Sequence, residues 1–412
     1  MKLLSSGITP SPDTPGNMRS SALIRWGLGN EFQLWIDVPE KYADSLSETG
    51  NPWLVAMLPM AAALGEDIEL PLPVDALLLE NCRGVLAIWN EWYPELHQIA
   101  LHCPVKGFEP SGAIKKTAAF FSGGIDSYFT IARRMPGNPY GIPAVGVLDD
   151  LLTVWGFDIG VNDETQFQPL ARMLAGSVES LGGNHIIVQT NLRDVMEVYR
   201  KRWGPLTHGA GLAFIGLSLE KRYREVILGS TYPYGALFPW GSHPLVDPLF
   251  STSLLSVMHD GAALTRIGKT AVAARLPQAR RGLHVCQATG LHNCSVCEKC
   301  YRTMIALDIL GLKESFAETF DWSGYTLSRV RMVYIGGGLE QIFYREMISA
   351  ARSLERTDIA VALSHAARRS SRMAPFIHWA ERMTTRPLVW RLGIALRRVL
   401  LRGSIQKEYI TI

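Results

Sequence analysis

From residue 115 onward, short apolar runs alternate with longer segments of helical spacing, and this alternation constrains the fold more than any other feature of the chain. The pattern predicts strands over residues 117–121, 152–157, 185–190 and 225–228, with helices over 126–134, 165–181 and 208–221 between them. Parallel neighbours cannot be joined by a tight hairpin, so strands that alternate with helices imply a parallel sheet with helices on both faces. In such sheets ligands bind beyond the carboxyl ends of the strands. The hexapeptide SGGIDS, Ser122 to Ser127, falls at one of these ends, between the first predicted strand and its helix.

The chemistry of that hexapeptide suits an anion. Gly123 and Gly124 allow backbone conformations closed to other residues, so successive N–H groups can converge on a phosphate. The helix that follows, starting near Ile125 and Asp126, turns its positive end toward the same place. Ser122 and Ser127 add hydroxyl donors. Asp126 repels a phosphate directly; its expected work is to hold Mg²⁺ or to order the loop. The segment lacks the Gly-Lys-Ser/Thr of a P-loop and the third glycine of a dinucleotide loop. A Gly-Gly turn with a Ser/Asp helix cap is the plainer alternative. A second glycine cluster, Gly336 to Gly338, has no cap pattern and reads as a turn.

SGGIDS after Ala118-Ala119-Phe120-Phe121 resembles the signature SGGxDS of the PP-loop ATP pyrophosphatases. The resemblance covers roughly residues 115–312. It implies a Rossmann-like (HUP, adenine nucleotide alpha hydrolase-like) fold, ATP with Mg²⁺ as cofactors, and adenylation of a substrate with release of pyrophosphate.

The six cysteines are unevenly spread. Cys82 and Cys103 stand alone and read as core residues. Cys286, Cys294, Cys297 and Cys300 crowd into fifteen residues. With no secretion signal in the sequence, such crowding favours metal over disulfides. The spacing C-x7-C-x2-C-x2-C offers four soft ligands to a tetrahedral Zn²⁺ and leaves no open position, so the expected role is structural. An iron–sulfur cluster is the alternative occupant, and His284 and His292 are spare ligands. A PP-loop followed by this spacing is similar to the zinc-containing 7-cyano-7-deazaguanine synthase family of queuosine precursor synthesis. That family adenylates a carboxylate, makes an amide with ammonia and dehydrates it to a nitrile. Lys269 and Arg302 also fit its pattern. The family's Tyr-Gly-Gln after the second strand is here Trp155-Gly156-Phe157-Asp158, and the first 110 and last 100 or so residues have no counterpart in it.

Polar positions past the strand ends supply the remaining site candidates. Ser230 follows the fourth strand, and His243 and Asp247 lie in the rigid, polar stretch 240–248. Asp158 lies just past the second strand. Each is a candidate for contacting substrate, and each is also compatible with a structural turn. His208 reads as a helix cap and Asn191 as a strand end. Lys269 is a candidate for neutralising phosphate charge, as are Asp126 and Ser127 for catalysis; a solvated surface lysine is the rival for Lys269.

The rest of the chain divides by texture. Residues 1–21, rich in Ser, Pro and Gly, read as a flexible leader, and 22–112 as a small α+β domain ending in a linker at 107–112. Residues 313–412 read as a mostly helical region that turns basic. A helix over 387–402, with Arg391, Arg398 and Arg402 on one face, would pack on its own domain or meet RNA, a protein or a membrane surface. A net charge of +3 does not by itself argue for nucleic acid. No apolar run reaches the ~18 residues of a spanning helix, so a cytoplasmic location is expected. The expected function is an ATP-dependent adenylating ligase acting on a carboxylate or nucleobase-like small molecule, with ammonia or another nucleophile; an oligomer is compatible with this. The alternatives are a PP-loop enzyme that modifies tRNA and a non-catalytic ATP-binding component of a complex.

Overall fold

The computed structural model describes residues 1–107, 115–135, 146–286, 292–336 and 339–384, with positions 392, 396, 399–401 and 404–405 beyond them. The chain divides into two compact units, Met1–Ala263 and Leu264–Ile412. Among the described residues no helix is long and apolar enough to cross a membrane.

The first unit opens with an antiparallel meander, β1 (Lys2–Pro10), β2 (Asn17–Trp26) and β3 (Asn30–Pro39). Alternation drives it: Ala22 and Ile24 of β2, and Leu34, Ile36 and Val38 of β3, are buried on one face. Residues 1–21 are therefore β1 and the start of β2, which corrects the expected leader. Their Ser, Pro and Gly content concealed a strand that gains its order from pairing with β2. Helix α1 (Asn51–Leu64) is apolar on all sides and almost wholly buried. Short strands β4 (Ile68–Glu69) and β5 (Val74–Asp75) lead to α2 (Ala76–Trp92), whose first turn is capped by Asp75 accepting from Leu77 N and Leu78 N. Strands β6 (Leu101–His102) and β7 (Val105–Lys106) follow. The expected linker at 107–112 lies outside the described residues beyond Gly107.

The alternating half then runs β8 (Lys116–Phe120), α3 (Ile125–Arg134), β9 (Asp150–Trp155), α4 (Glu164–Ser180), β10 (Asn184–Thr190), the short α5 (Leu192–Val195) and α6 (Glu197–Lys201), α7 (His208–Ser218), β11 (Tyr223–Gly229) and β12 (Ser256–Asp260). One ten-stranded sheet results, ordered β12-β11-β8-β9-β10-β3-β2-β1-β4-β6, with β5 and β7 paired separately. From β12 to β10 every pairing is parallel. Counted from β8, that stretch is ordered 3-2-1-4-5, the order of doubly wound sheets, and its switch point lies between β8 and β11. Helices cover both faces. Val226 of β11 lies under Gly216 of α7, whereas Gly229, on the opposite face, lies under the Asp126 backbone at the start of α3.

The N-terminal residues do not form the separate domain expected over 22–112. β3 pairs antiparallel with β10 through Asp37 and Ile36. The junction is reinforced by Asn191, whose Oδ1 accepts from Trp35 N and whose Nδ2 donates to Gln33 O. The unpaired edge of β10 is thus completed by the meander. The unit boundary also falls at 263/264, inside the span 115–312 expected to be one domain.

Gly156 fixes how β9 ends. Its φ is +110°, and a Cβ there would come 1.9 Å from Thr190 O. Gly156→Ala is expected to destabilise the first unit by about 3 kcal/mol or more, since strain and a backbone clash add. A lowered denaturation midpoint with an unchanged slope checks this.

The second unit is mostly helical, through 264–312 as well as the span from 313 onward expected to be so: α8 (Arg266–Ala273), α9 (Pro277–Gly282), α10 (Glu298–Ile309), α11 (Leu327–Val330), α12 (Leu339–Ser353) and α13 (Thr357–Thr384). Its core includes Tyr301, Met304, Ile305 and Leu307 of α10. Gly337 and Gly338 of the glycine cluster, and most of 387–402, including Arg391, Arg398 and Arg402, lie outside the described residues.

Candidate functional sites

The hexapeptide occupies the turn between β8 and α3, at the carboxyl edge of the sheet and beside the switch point. Ser122 is exposed, Gly123 takes φ +74°, and Gly124 is the extended residue before the helix. Gly124 holds the cap position of α3 without a side-chain cap bond, and Asp126 places an acidic group in its first turn. Ser127 Oγ donates to Gly124 O at 2.9 Å and so tightens the turn. Ile125 is buried and anchors it from below. Further along α3, Thr130 Oγ1 and Arg133 Nη1 donate to buried Asp260 at the end of β12, at 3.0 and 2.8 Å. The helix is thereby locked across β8, β11 and β12. Such a turn can present converging N–H groups to a phosphate chain while Asp126 offers a carboxylate to a cation.

A small cleft opens at the carboxyl ends of β11 and β12. Ser230, Tyr232, Phe238, Trp240, Ser242, His243 and His259 line it, with Leu237. Ser230 N donates to Asp260 O at 2.7 Å, which places it directly past Gly229. Two of the tentative substrate residues, Ser230 and His243, therefore share one cavity. The third, Asp247, lies just behind it. It is completely buried and accepts from Ser242 Oγ at 2.5 Å and His243 N at 3.2 Å, with His259 Nδ1 2.7 Å away. Gly209 at the start of α7 permits this packing: a Cβ there would meet Gly241 O at 2.3 Å and Asp247 Oδ1 at 2.6 Å. Asp158 is exposed in the turn after β9 and contributes to the field at His208.

His208 is not a cap. Thr207 holds the cap position, and the His208 ring is half-buried between Trp203 and Trp240. Burial lowers its pKa, opposed by Asp247. Burial likewise lowers that of His243, helped by His259 and opposed by Asp247. His259 was missed in the sequence because the five-residue strand SVMHD carries no turn signal or long apolar run to mark it.

In the second unit the sulfurs of Cys286, Cys294, Cys297 and Cys300 all lie within 4.8 Å of one another, and Cys294 Sγ is 3.9 Å from Cys300 Sγ. A Zn–S bond of about 2.3 Å gives a tetrahedron with edges of about 3.8 Å, so the four thiols are compatible with zinc. His284 and His292 are not part of the cluster. The local fold explains the geometry. Ser295 adopts φ +58°, which turns the chain between Cys294 and Cys297. Cys297 precedes α10 and Cys300 lies in its first turn, where the helix dipole favours thiolate. Asn293, which sequence reasoning did not single out, clamps the two arms: its Oδ1 accepts from Val285 N and Cys286 N, and its Nδ2 donates to Leu283 O and Thr319 O. Among the bare thiols, the bond with Cys286 pushes Cys297 up to about 12, and Cys286 likewise raises Cys300. A bound cation must therefore displace protons.

Lys269 is fully buried in the second unit, not a solvated surface lysine. Its charge acts on half-buried Glu346, whose Oε2 accepts from Arg266 N at 3.0 Å. Arg302 stacks on Phe343 at 4.4 Å and pairs with buried Glu298 at 3.6 Å, where Tyr344 OH also donates. Cys82 is buried and Cys103 half-buried, in keeping with core positions. No family model matches the chain, and no curated protein or solved structure matches it either, so these sites are interpreted from their own geometry.

Proposed function

We propose that the protein is an ATP-dependent adenylating ligase of PP-loop type, with a HUP-like nucleotide-binding sheet and a structural zinc in its second unit. The observation that carries this reading is the position of SGGIDS: the turn sits at the carboxyl end of β8, next to the switch point of a 3-2-1-4-5 sheet. Backbone N–H groups around Gly123 and Gly124 would hold the β- and γ-phosphates, with Ser122 and Ser127 as hydroxyl partners. Asp126 would hold Mg²⁺, which supplies charge neutralisation on the pyrophosphate.

Cleavage between the α- and β-phosphates couples to activation of a carboxylate. The carboxylate oxygen attacks the α-phosphorus and pyrophosphate departs. The resulting acyl-adenylate carries AMP as a good leaving group, which ammonia or another nucleophile displaces. The sequence resemblance to 7-cyano-7-deazaguanine synthases makes a heterocyclic carboxylate the first substrate to try. Four sulfurs within 4.8 Å suit one ion better than a four-iron cluster, in which each thiolate would reach a different iron.

Incubating the full chain with ATP, Mg²⁺, ammonium and a panel of carboxylates, including 7-deazaguanine-7-carboxylate, tests the proposal. The expected products are AMP and pyrophosphate in equal amounts, dependent on one carboxylate. Formation of ADP and inorganic phosphate would sink it.

A further inference from the structure

We propose that His259, oriented by Asp247, takes the proton from the nucleophile that attacks the activated substrate; the role rests on the adenylating reading above. His259 lies on β12 with its side chain 4% exposed, and its ring lines the cleft at the carboxyl edge. The partner of its Nδ1, at 2.7 Å, is a carboxylate oxygen. A carboxylate accepts and does not donate, so the ring N–H sits on Nδ1. Asp247 is itself held by Ser242 Oγ and His243 N, which leaves it no freedom to turn away.

The other nitrogen is the informative one. Nε2 of His259 is buried and has no hydrogen-bond partner. A proton there would be an orphaned buried donor, which is unfavourable. A lone pair there, on a residue that lines the cleft, is how a general base waits for substrate. The titratable groups around the ring are Asp247, His243 and His208. His243 is engaged, since its Nδ1 accepts from Leu245 N at 3.1 Å. His208 also has an unpartnered nitrogen, but its ring is held between two tryptophans. His259 is thus the imidazole with an open acceptor among the residues lining this cleft.

Location supports the same role. The cleft begins at Ser230, and Gly229 before it underlies the Asp126 backbone of the phosphate turn. In the proposed step the nitrogen of ammonia or an amine bonds to the acyl carbon. The carbon–oxygen bond to AMP breaks, and AMP departs with the electron pair. One proton moves from the nitrogen to Nε2, and Asp247 balances the imidazolium that forms. No oxidant or reductant is required.

Two measurements on the full chain test this. In ¹⁵N spectra of protein with labelled histidine rings, the His259 signal, assigned by its loss in His259→Gln, is expected to show a protonated Nδ1 and a bare Nε2 at neutral pH. The opposite tautomer overturns the proposal. In kinetics with ammonium chloride and the carboxylate identified by AMP release, His259→Gln is expected to slow ATP–pyrophosphate exchange by at least about 10-fold less than it slows transfer. Transfer to ammonia is expected to slow by about 10²-fold or more, the usual contribution of a general base, and added imidazole to restore part of it. Unchanged transfer, or equal loss of both half-reactions, removes His259 from the mechanism while adenylation stands. If the unaltered protein forms no AMP, the adenylating reading fails first and the role of His259 with it.

Discussion

Removing the metal from the four-cysteine site is expected to unfold the Leu264–Ile412 unit while Met1–Ala263 keeps its fold. Structural zinc contributes about 10–16 kcal/mol of apparent binding free energy in small zinc domains. A whole domain is stable by only about 5–15 kcal/mol. The cluster also joins the chain before the turn, at Cys286, to Cys297 and Cys300 at the start of α10, which carries Tyr301, Met304, Ile305 and Leu307 into the core. Without the cation, four thiols crowded within 4.8 Å hold only protons. Chelation should release one zinc per chain, and limited proteolysis should then cut within the second unit. Cys297→Ser should reproduce both effects. Acid should act in the same direction, because the ligands must lose their protons to bind. A chain that carries no zinc as purified, or whose second unit melts unchanged after chelation, would disprove the assignment.

Asp126→Asn is expected to lower AMP formation by about 10²- to 10³-fold, the range found when one preorganised charge-stabilising group is lost. The substitution preserves shape and removes the charge offered to Mg²⁺. Asp126 is part-exposed in the first turn of α3. The melting temperature should therefore stay within a few degrees while turnover collapses. Gly123→Ala should act differently. At φ +74° an L-residue costs roughly 1–2 kcal/mol, so the turn would relax and ATP binding would weaken along with turnover. A Tm drop in Asp126→Asn that accounts for the lost activity would show the aspartate to be a scaffold residue instead.

The parallel sheet from β8 to β11 was legible because its strands and the helices α3, α4 and α7 carry their own period and the two glycines mark the first junction; β12 was not. α3, β9, α4 and β10 start and end within two residues of where spacing places them. The cysteine cluster was legible for a similar local reason: thiols three apart must meet if the chain turns, and Ser295 makes the turn. What stayed hidden is non-local. β1 is polar and Pro-flanked, and only its pairing with β2 gives it a reason to be a strand. The bond between β3 and β10 joins residues about 150 positions apart, and no periodicity reports such a partner. The dyad of Asp247 and His259 is likewise assembled from a loop and a neighbouring strand, so the sequence marks the loop and leaves the strand silent.

The seam between β3 and β10 has a practical corollary for anyone who would dissect the molecule. Cutting out the parallel half as a stand-alone fragment would strip β10 of its neighbour and uncover a row of backbone donors and acceptors. Bare strand edges recruit other chains. Asn191 would also lose its contacts to Gln33 and Trp35. The meander thus occupies an edge that would otherwise lie open, and a fragment that keeps β10 paired must include β3.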